Sequence, residues 1–371
     1  MDSRVSGAAA PAPSRAGSVF PLRPMNQDEV FSSALAVLRH APRAVIGLPV
    51  IASAVNFVLT TGLMLIAPTD TFLRLYTQPA AFEDDEVALA AFSDLWVLLL
   101  MSVTSFLSWV LLYVAAALIP VATLRAVYGL GTGPWQTLQI TRKRLGWLVL
   151  HVVLVLVVLS TVFSVVMLIA ALIVAFTLLV GVFVVVPAML LGLLWTTVAL
   201  MHAPVVIVVE GRDAITAVGR SFQLNKGLWV KHMVAVGVLF VVGLIVMLAT
   251  MLPLGALLGI SAGTVDGLPE DATWLTTSLL IGVQLTDSVL TALILALMGV
   301  VISVLYLNAR FRQEALDTVL EAAADKPYSS DDAGDLVPGS PQHTAAYFSE
   351  ARSPQAAVPA APFAGGQRVR T

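Results

Sequence analysis

From Leu145 to Val209 the chain runs for 65 residues without one Asp, Glu, Lys or Arg. A helix that crosses a bilayer needs about 20 consecutive apolar residues, so this run is long enough for two crossings joined by a tight turn near Thr177–Gly181. Backbone N–H and C=O groups in hydrocarbon must be satisfied within the structure itself, and a continuous apolar run does so as helix. The rest of the chain agrees. Of its 371 residues 58% are hydrophobic and only 12% charged, against about 25% charged in soluble domains. The expected fold class is all-α, a polytopic membrane protein.

Six spans are expected, at roughly 44–67, 95–122, 146–175, 179–204, 229–259 and 276–307, paired as three hairpins. Pro49, Pro120, Pro187 and Pro253 fall inside them, where neighbouring helices can satisfy the freed carbonyls. Cations near the ends set the orientation. One side carries Arg39, Arg43, Arg125, Arg142, Lys143, Arg144, Arg212, Arg220, Lys226, Lys231, Arg310 and Arg312; the other carries only Arg74. That bias puts both termini in the cytoplasm, as an even number of crossings requires. The outer loops are acidic, with Asp70, Glu83, Asp84, Asp85, Glu86 and Asp94 in one and Asp266, Glu270 and Asp271 in another. A calcium site takes six to eight oxygens at defined spacing; the run Glu83–Glu86 lacks it and reads as a solvated loop.

The flanks differ in composition. Residues 1–25 are rich in Ala, Pro, Ser and Arg with no apolar stretch of the signal-peptide kind. Residues 322–371 repeat that character, with Pro327, Pro338, Pro341, Pro354, Pro359 and Pro362. Such segments bury too little apolar surface to offset their ordering entropy, so both are expected to be disordered tails around a membrane domain at 26–321. Cysteine is absent, which removes disulfides and thiolate chemistry. A net charge of −3 offers nothing to nucleic acid. Sixteen Arg against four Lys amid abundant Ala, Val and Leu fits a GC-rich bacterial genome.

Three basic stretches each precede a span. In Asn26–Arg43, Asn26 and Glu29 have capping-box spacing, and Phe31, Leu35 and Leu38 recur at helical spacing. In Thr132–Arg144, Pro134 suits a first turn and the apolar face begins with Trp135 and Leu138. In Gly211–Gly227, Asp213 is placed to cap, with Ile215, Val218 and Phe222 as the stripe. Each predicts a short amphipathic helix lying along the inner leaflet, its basic C-terminal end favoured by the helix dipole and anionic headgroups. The unit of interfacial helix, span, loop and span thus occurs three times.

The segments MNQDEVFSSALAVLRHAPRAVIG, VVEGRDAITAVGRSFQLNKGLW and LYLNARFRQEALD resemble a bacterial family named for the membrane domain that accompanies glycerophosphoryl diester phosphodiesterases, across roughly residues 20–321. In relatives with that activity a separate soluble barrel supplies a His-Arg-Gly start and metal-binding carboxylates. Here none of His40, His151, His202, His232 or His343 is followed by Arg-Gly. The resemblance implies the membrane module without its catalytic partner, hence no enzyme and no cofactor.

Other motifs are weaker. Gly259-Ile260-Ser261-Ala262-Gly263 has the nucleophile-elbow pattern, which needs a strand-to-helix turn and a nearby histidine; Gly255, Gly259 and Gly263 also have the spacing of close helix packing. Gly129, Gly131 and Gly133 lack a preceding strand or a following Gly-Lys-Ser/Thr. His151 and His202 alone fall short of the three or four ligands of a metal site. Asp287, with Gln284 one turn away, is the candidate polar intramembrane site: a proton or ion site, or else an interfacial carboxylate or buried contact. Asn56, Ser102, Thr104, Ser105 and Ser108 line a path or bond between helices. Arg125, Glu210, Arg220, Arg310 and Glu314 are expected to form a salt-bridged cytoplasmic collar.

The leading expectation is a non-catalytic plasma-membrane module that scaffolds or assists a partner, which is a protein or another copy of the chain in the bilayer. The alternative is a transporter or permease for a lipid-like or small solute. A membrane-embedded hydrolase is the weakest.

Overall fold

The computed structural model describes residues 19, 21–66, 95–177, 180–264, 273–323 and 336–343. Every regular element among them is helical, and six segments are long and apolar enough to cross a membrane. The protein is an all-α polytopic membrane protein. Helix α1 (Gln27–His40) leads through a single turn, α2 (Pro42–Val45), into the first span, α3 (Gly47–Ile66). The second span is α4 (Leu95–Arg125). A short α5 (Pro134–Thr141) precedes the third and fourth spans, α6 (Leu145–Phe176) and α7 (Val182–Leu200). Two short helices, α8 (Ala203–Glu210) and α9 (Ala214–Asn225), then lead to α10 (Trp229–Thr264) and α11 (Thr273–Glu314), followed by α12 (Leu316–Ala323). Both acidic loops lie outside the described residues.

The spans start and stop where charge forbids or permits them. Helix α6 begins directly after Arg142, Lys143 and Arg144 and turns back at Thr177, whose hydroxyl accepts from the Gly181 N–H at 2.9 Å. At 42 residues, α11 is about 63 Å long at 1.5 Å per residue. A hydrocarbon layer is about 30 Å thick, so α11 projects well beyond it. Several hydroxyls within the spans return to their own backbone: Ser102 to the Leu98 carbonyl, Thr161 to Val157, Thr197 to Leu193 and Ser303 to Gly299. That satisfies them without a partner helix.

The core sits at one end of the bundle. Buried apolar side chains gather where the basic residues are, from Val30 and Val37 of α1, Val205 to Val209 of α8, Val300 to Leu307 and Phe311 of α11, and Leu320 of α12. Farther along the spans a small layer of Ala52, Leu112 and Ala115 packs with Leu295. There α3, α4 and α11 form a close three-helix group. The remaining spans are thinly covered: Leu168 of α6 is 64% exposed and Val184 of α7 is 71% exposed. Residues of that kind face lipid or another protein.

The three short helices α1, α5 and α9 each pack one face on the bundle. Val30, Ala34 and Val37, Thr137 and Thr141, and Ala217 and Ser221 are buried. The expected apolar stripes divide: Phe31, Leu38, Leu138 and Val218 pack on the core, while Leu35, Trp135, Ile215 and Phe222 are exposed. This is the disposition of a helix that fixes itself to protein through one face and meets an apolar medium with the other.

Several helices run past the expected spans, α4 to Arg125 and α11 over Thr273–Glu314. Within the apolar segment Val182–Glu210 helix α7 stops at Leu200, and the stretch Ala203–Glu210 is a separate helix, α8, buried in protein. Beyond residue 321, α12 runs to Ala323 and residues 336–343 pack on the basic end, with Val337 5% and His343 7% exposed.

Gly299 of α11 sets the closeness of α4. A methyl group there would stand 2.4 Å from Ile119 Cδ1 and 3.3 Å from the Ala116 carbonyl oxygen. Gly299→Leu should therefore lower stability by about 1–3 kcal/mol, read as a lower melting temperature in detergent. Gly243→Ala, where nothing lies within 4 Å, should leave melting unchanged or slightly raised by helix propensity.

Candidate functional site

Two polar regions stand out, one at the basic end and one within the spans. The first begins with the way α7, α8 and α9 are joined. Ending α7 at Leu200 frees its last carbonyls. Helix α9 takes them up: Ser221 Oγ donates to the Ala199 oxygen at 2.7 Å, and Asn225 Nδ2 donates to the Val198 oxygen at 2.8 Å. Asn225 Oδ1 in turn lies 2.6 Å from His232 Nδ1. Because the amide nitrogen is already committed to carbonyls, that oxygen accepts and His232 carries its proton on Nδ1.

Helix α8 ends on Gly211, whose φ of 72° is the left-handed conformation of a helix cap. Arg144 reaches across from the start of α6 to the carbonyls of Val208 and Val209, the latter at 2.9 Å. A cation on the last carbonyls of a helix is favoured by its dipole. Asp213 then starts α9 as expected, accepting from the N–H groups of Ile215 at 3.1 Å and Thr216 at 2.9 Å. The Thr216 hydroxyl and these amides hold its carboxyl below the usual carboxylate range. At α1, the Asn26 N–H donates to Glu29 at 2.9 Å and Arg23 pairs with Glu29. Those contacts lower the Glu29 carboxyl in the same way.

These caps bring four of the five expected collar residues into one closed ring. Arg220 Nε meets Glu210 Oε1 at 3.3 Å, and Arg220 Nη2 pairs with Glu314 Oε1. Glu314 Oε2 meets Arg310 Nε at 2.8 Å, and Arg310 Nη1 donates to the Tyr306 hydroxyl at 3.1 Å. Tyr306 closes the ring by donating to Glu210 Oε1 at 3.0 Å. Arg212 adds a pair to Glu210 Oε2 at 2.9 Å. The Glu210 side chain is 5% exposed and that of Arg310 10%, so this is an interior network tying α8, α9 and α11 together. Tyr306 was missed in the sequence because nothing there marks an aromatic residue as a hydroxyl donor to a distant carboxylate.

Arg125, the fifth expected member, goes elsewhere. It is fully buried, and donates from Nε to Thr132 Oγ1 at 3.0 Å and from Nη1 to the Leu336 carbonyl at 2.9 Å. Arg125 lies at the end of α4 and faces the C-terminal segment, whereas Glu210 and Glu314 face α9.

His202 and His232 lie against the ring, with centroids 5.1 Å apart and edge-on; His202 is also 6.1 Å from the Tyr306 ring. His151 sits apart beside Tyr113, at 6.5 Å. Among the described residues no group of three His, Asp or Glu side chains is arranged to hold a metal.

Within the spans, Gln284 Nε2 donates to Thr60 Oγ1 at 3.0 Å, a bond between α11 and α3. Asp287 is exposed on α11, one turn beyond the half-buried Gln284. An apolar cavity of about 230 Å³ lies between α4, α6, α7 and α11, lined by Tyr113, Pro120, Leu159, Thr197 and Met298. Neither Gln284 nor Asp287 lines that cavity. More telling is a set of polar residues on the helices of the close three-helix group. Ser53 and Asn56 of α3, Ser108 of α4 and Ser288 of α11 are all buried, with side-chain atoms that find no hydrogen-bond partner. Ser102 bonds its own helix instead. Residues 259–263 lie inside α10, so the elbow pattern lacks its strand-to-helix turn. Gly129 ends a helical turn at φ 69° with no strand before it.

Comparison with protein-family models, with curated proteins and with solved structures finds no match to this chain.

The ring predicts its own sensitivity. Replacing Arg220 with Met takes one partner from each of Glu210 and Glu314, which keep Arg212 and Arg310, so the loss should fall below the about 3–5 kcal/mol of a buried charge left with no partner. Arg310→Glu should also lower melting in detergent. The double variant Arg220→Met with Glu210→Gln should regain part of the loss, because it removes a buried charge that has lost one of its partners. Unchanged melting of both single variants would count against a stabilising ring.

Proposed function

We propose that this chain is a non-catalytic membrane module that holds a partner at the inner face of a bacterial plasma membrane, with both termini in the cytoplasm. One observation carries the reading. The basic end is a packed, ion-paired base assembled from α1, α8, α9 and α11, and the spans α6 and α7 leave it as a thinly covered arm. A rigid base with an apolar arm suits lateral association, in which another helix takes the place of lipid. The positive-inside rule supports the orientation. The resemblance to the membrane domain that accompanies glycerophosphoryl diester phosphodiesterases points the same way, since such a module works beside a separate functional unit.

The buried polar residues Ser53, Asn56, Ser108 and Ser288 favour a second reading, transport of a lipid-like or small solute. Buried polar atoms without partners are costly and are tolerated where they serve a passing ligand or water.

The cysteine-free sequence makes the first reading testable. A benzophenone-maleimide attached at Leu168→Cys in α6 or Leu190→Cys in α7, photolysed in native membranes, should give one discrete protein adduct, either a second copy or a partner. Adducts to lipid alone at both positions would contradict the module and leave transport as the better account.

A further inference from the structure

The segment 336–343 is held more specifically than its composition suggests. Ser340 N–H donates to the Val337 carbonyl at 3.1 Å, which closes a turn with Pro338 second and Gly339 third. Gly339 has φ 75°, the conformation that a turn of this kind demands of its third residue. Two buried arginines from different spans grip the outside of the turn. Arg125 of α4 donates to the Leu336 carbonyl at 2.9 Å and Arg310 of α11 donates to the Gly339 carbonyl at 2.7 Å. Tyr128, just after α4, lies 3.3 Å from His343 Nε2, with the two rings 5.9 Å apart. The Gly339 N–H points at His343 Nδ1, 3.4 Å away. Val337 is buried in the main core.

We propose that the surface formed by Arg125, Arg310, Tyr128 and Leu316 is an exchangeable peptide-docking site. In this structure the chain's own tail fills it, and it accepts the same Pro-Gly turn when a separate peptide presents it. The specificity lies in shape. Both arginines read main-chain carbonyls, so the site selects a turn that aims two carbonyls outward, and not a particular row of side chains. It also selects glycine at the third position: a methyl group at Gly339 would stand 3.2 Å from Leu316 Cδ2, on a backbone that side chains rarely adopt. Exchange follows from the balance of forces. Two charge-assisted hydrogen bonds, the contacts of His343 with Tyr128 and the Gly339 N–H, and the burial of Val337 oppose the ordering entropy of an eight-residue segment, and these are of similar size. The inference stands on this geometry alone and goes beyond the partner-holding role proposed above.

The test uses the full chain in mild detergent and a fluorescent peptide of residues 334–345. Gly339→Val in the protein should release the tail without touching any span. The native-sequence peptide should then bind the Gly339→Val protein saturably, and bind the native protein more weakly because its site is filled. A Gly339→Val peptide should bind the released protein at least about tenfold less well. No saturable binding to the released protein, or equal binding of the two peptides, would overturn the proposal. If the variant protein cannot be purified, hydrogen exchange on the native chain decides. Amides at Gly339 and Ser340 that are slowed in the chain alone and quicken on adding excess native-sequence peptide support exchangeable docking, and amides that the peptide leaves unchanged reject it.

Discussion

A charge is expensive in hydrocarbon, and the whole arrangement follows from where this chain is allowed to put its charges. Across the described spans the one carboxylate away from a basic end is Asp287, and it is exposed on α11. The cations flanking the spans collect at one end of the bundle, and the carboxylates Glu210 and Glu314 collect there with them. Once gathered, they cannot all stay in water, because α8 and α9 fold over the end of α11. Pairing is the remaining solution. The closed ring of Glu210, Arg220, Glu314, Arg310 and Tyr306 satisfies each member with at least two partners. Such networks are strongly coupled in a low-dielectric interior.

That ring explains why the core lies beside it rather than at mid-membrane. In water, apolar burial drives helices together; in lipid it does not, and packing depends on close fit and small residues. The basic end therefore carries the tightly packed valines of α8 and the end of α11. Within the spans the close contacts are those between α3, α4 and α11, with Gly299 against Ile119. Helices α6 and α7 lack such a seam and remain mostly uncovered. The same contrast separates a firm platform from an arm free to take a neighbour, and this is the basis of the functional proposal.

Much of this is legible in the sequence, for identifiable reasons. The uncharged run from Leu145 to Val209 announces two crossings, and the helix starts at Asp213 and Asn26 follow from capping chemistry. Four collar residues are recoverable because charges flanking spans on one side have few places to go. Hydropathy, however, cannot separate an apolar residue facing lipid from one buried in protein, so nothing in the sequence marks α8 as a helix buried in the core. Nor does it give direction around a helix axis. Arg125 thus looks like a collar member although it faces the C-terminal segment, and the stripe of Ile215, Val218 and Phe222 divides, Val218 packing on the core while Ile215 and Phe222 stay exposed. The docked turn at Val337–Ser340 hides in a Pro- and Ser-rich stretch. Its local signal, Pro followed by Gly, was present, but the arginines that hold it are more than two dozen residues away in the chain.

The central claim is that every charge-rich element of the ring lies on one side of the bilayer, inside the cell, with the spans crossing six times. Single cysteines placed in the cysteine-free chain test it most directly, at Ser32 in α1, Lys226 after α9 and Asp317 in α12, and at Asp84 between the first two spans. Intact cells treated with a membrane-impermeant thiol reagent should label only the cysteine at position 84, and the other three should react only after permeabilisation. Labelling of any of positions 32, 226 or 317 in intact cells would contradict the account.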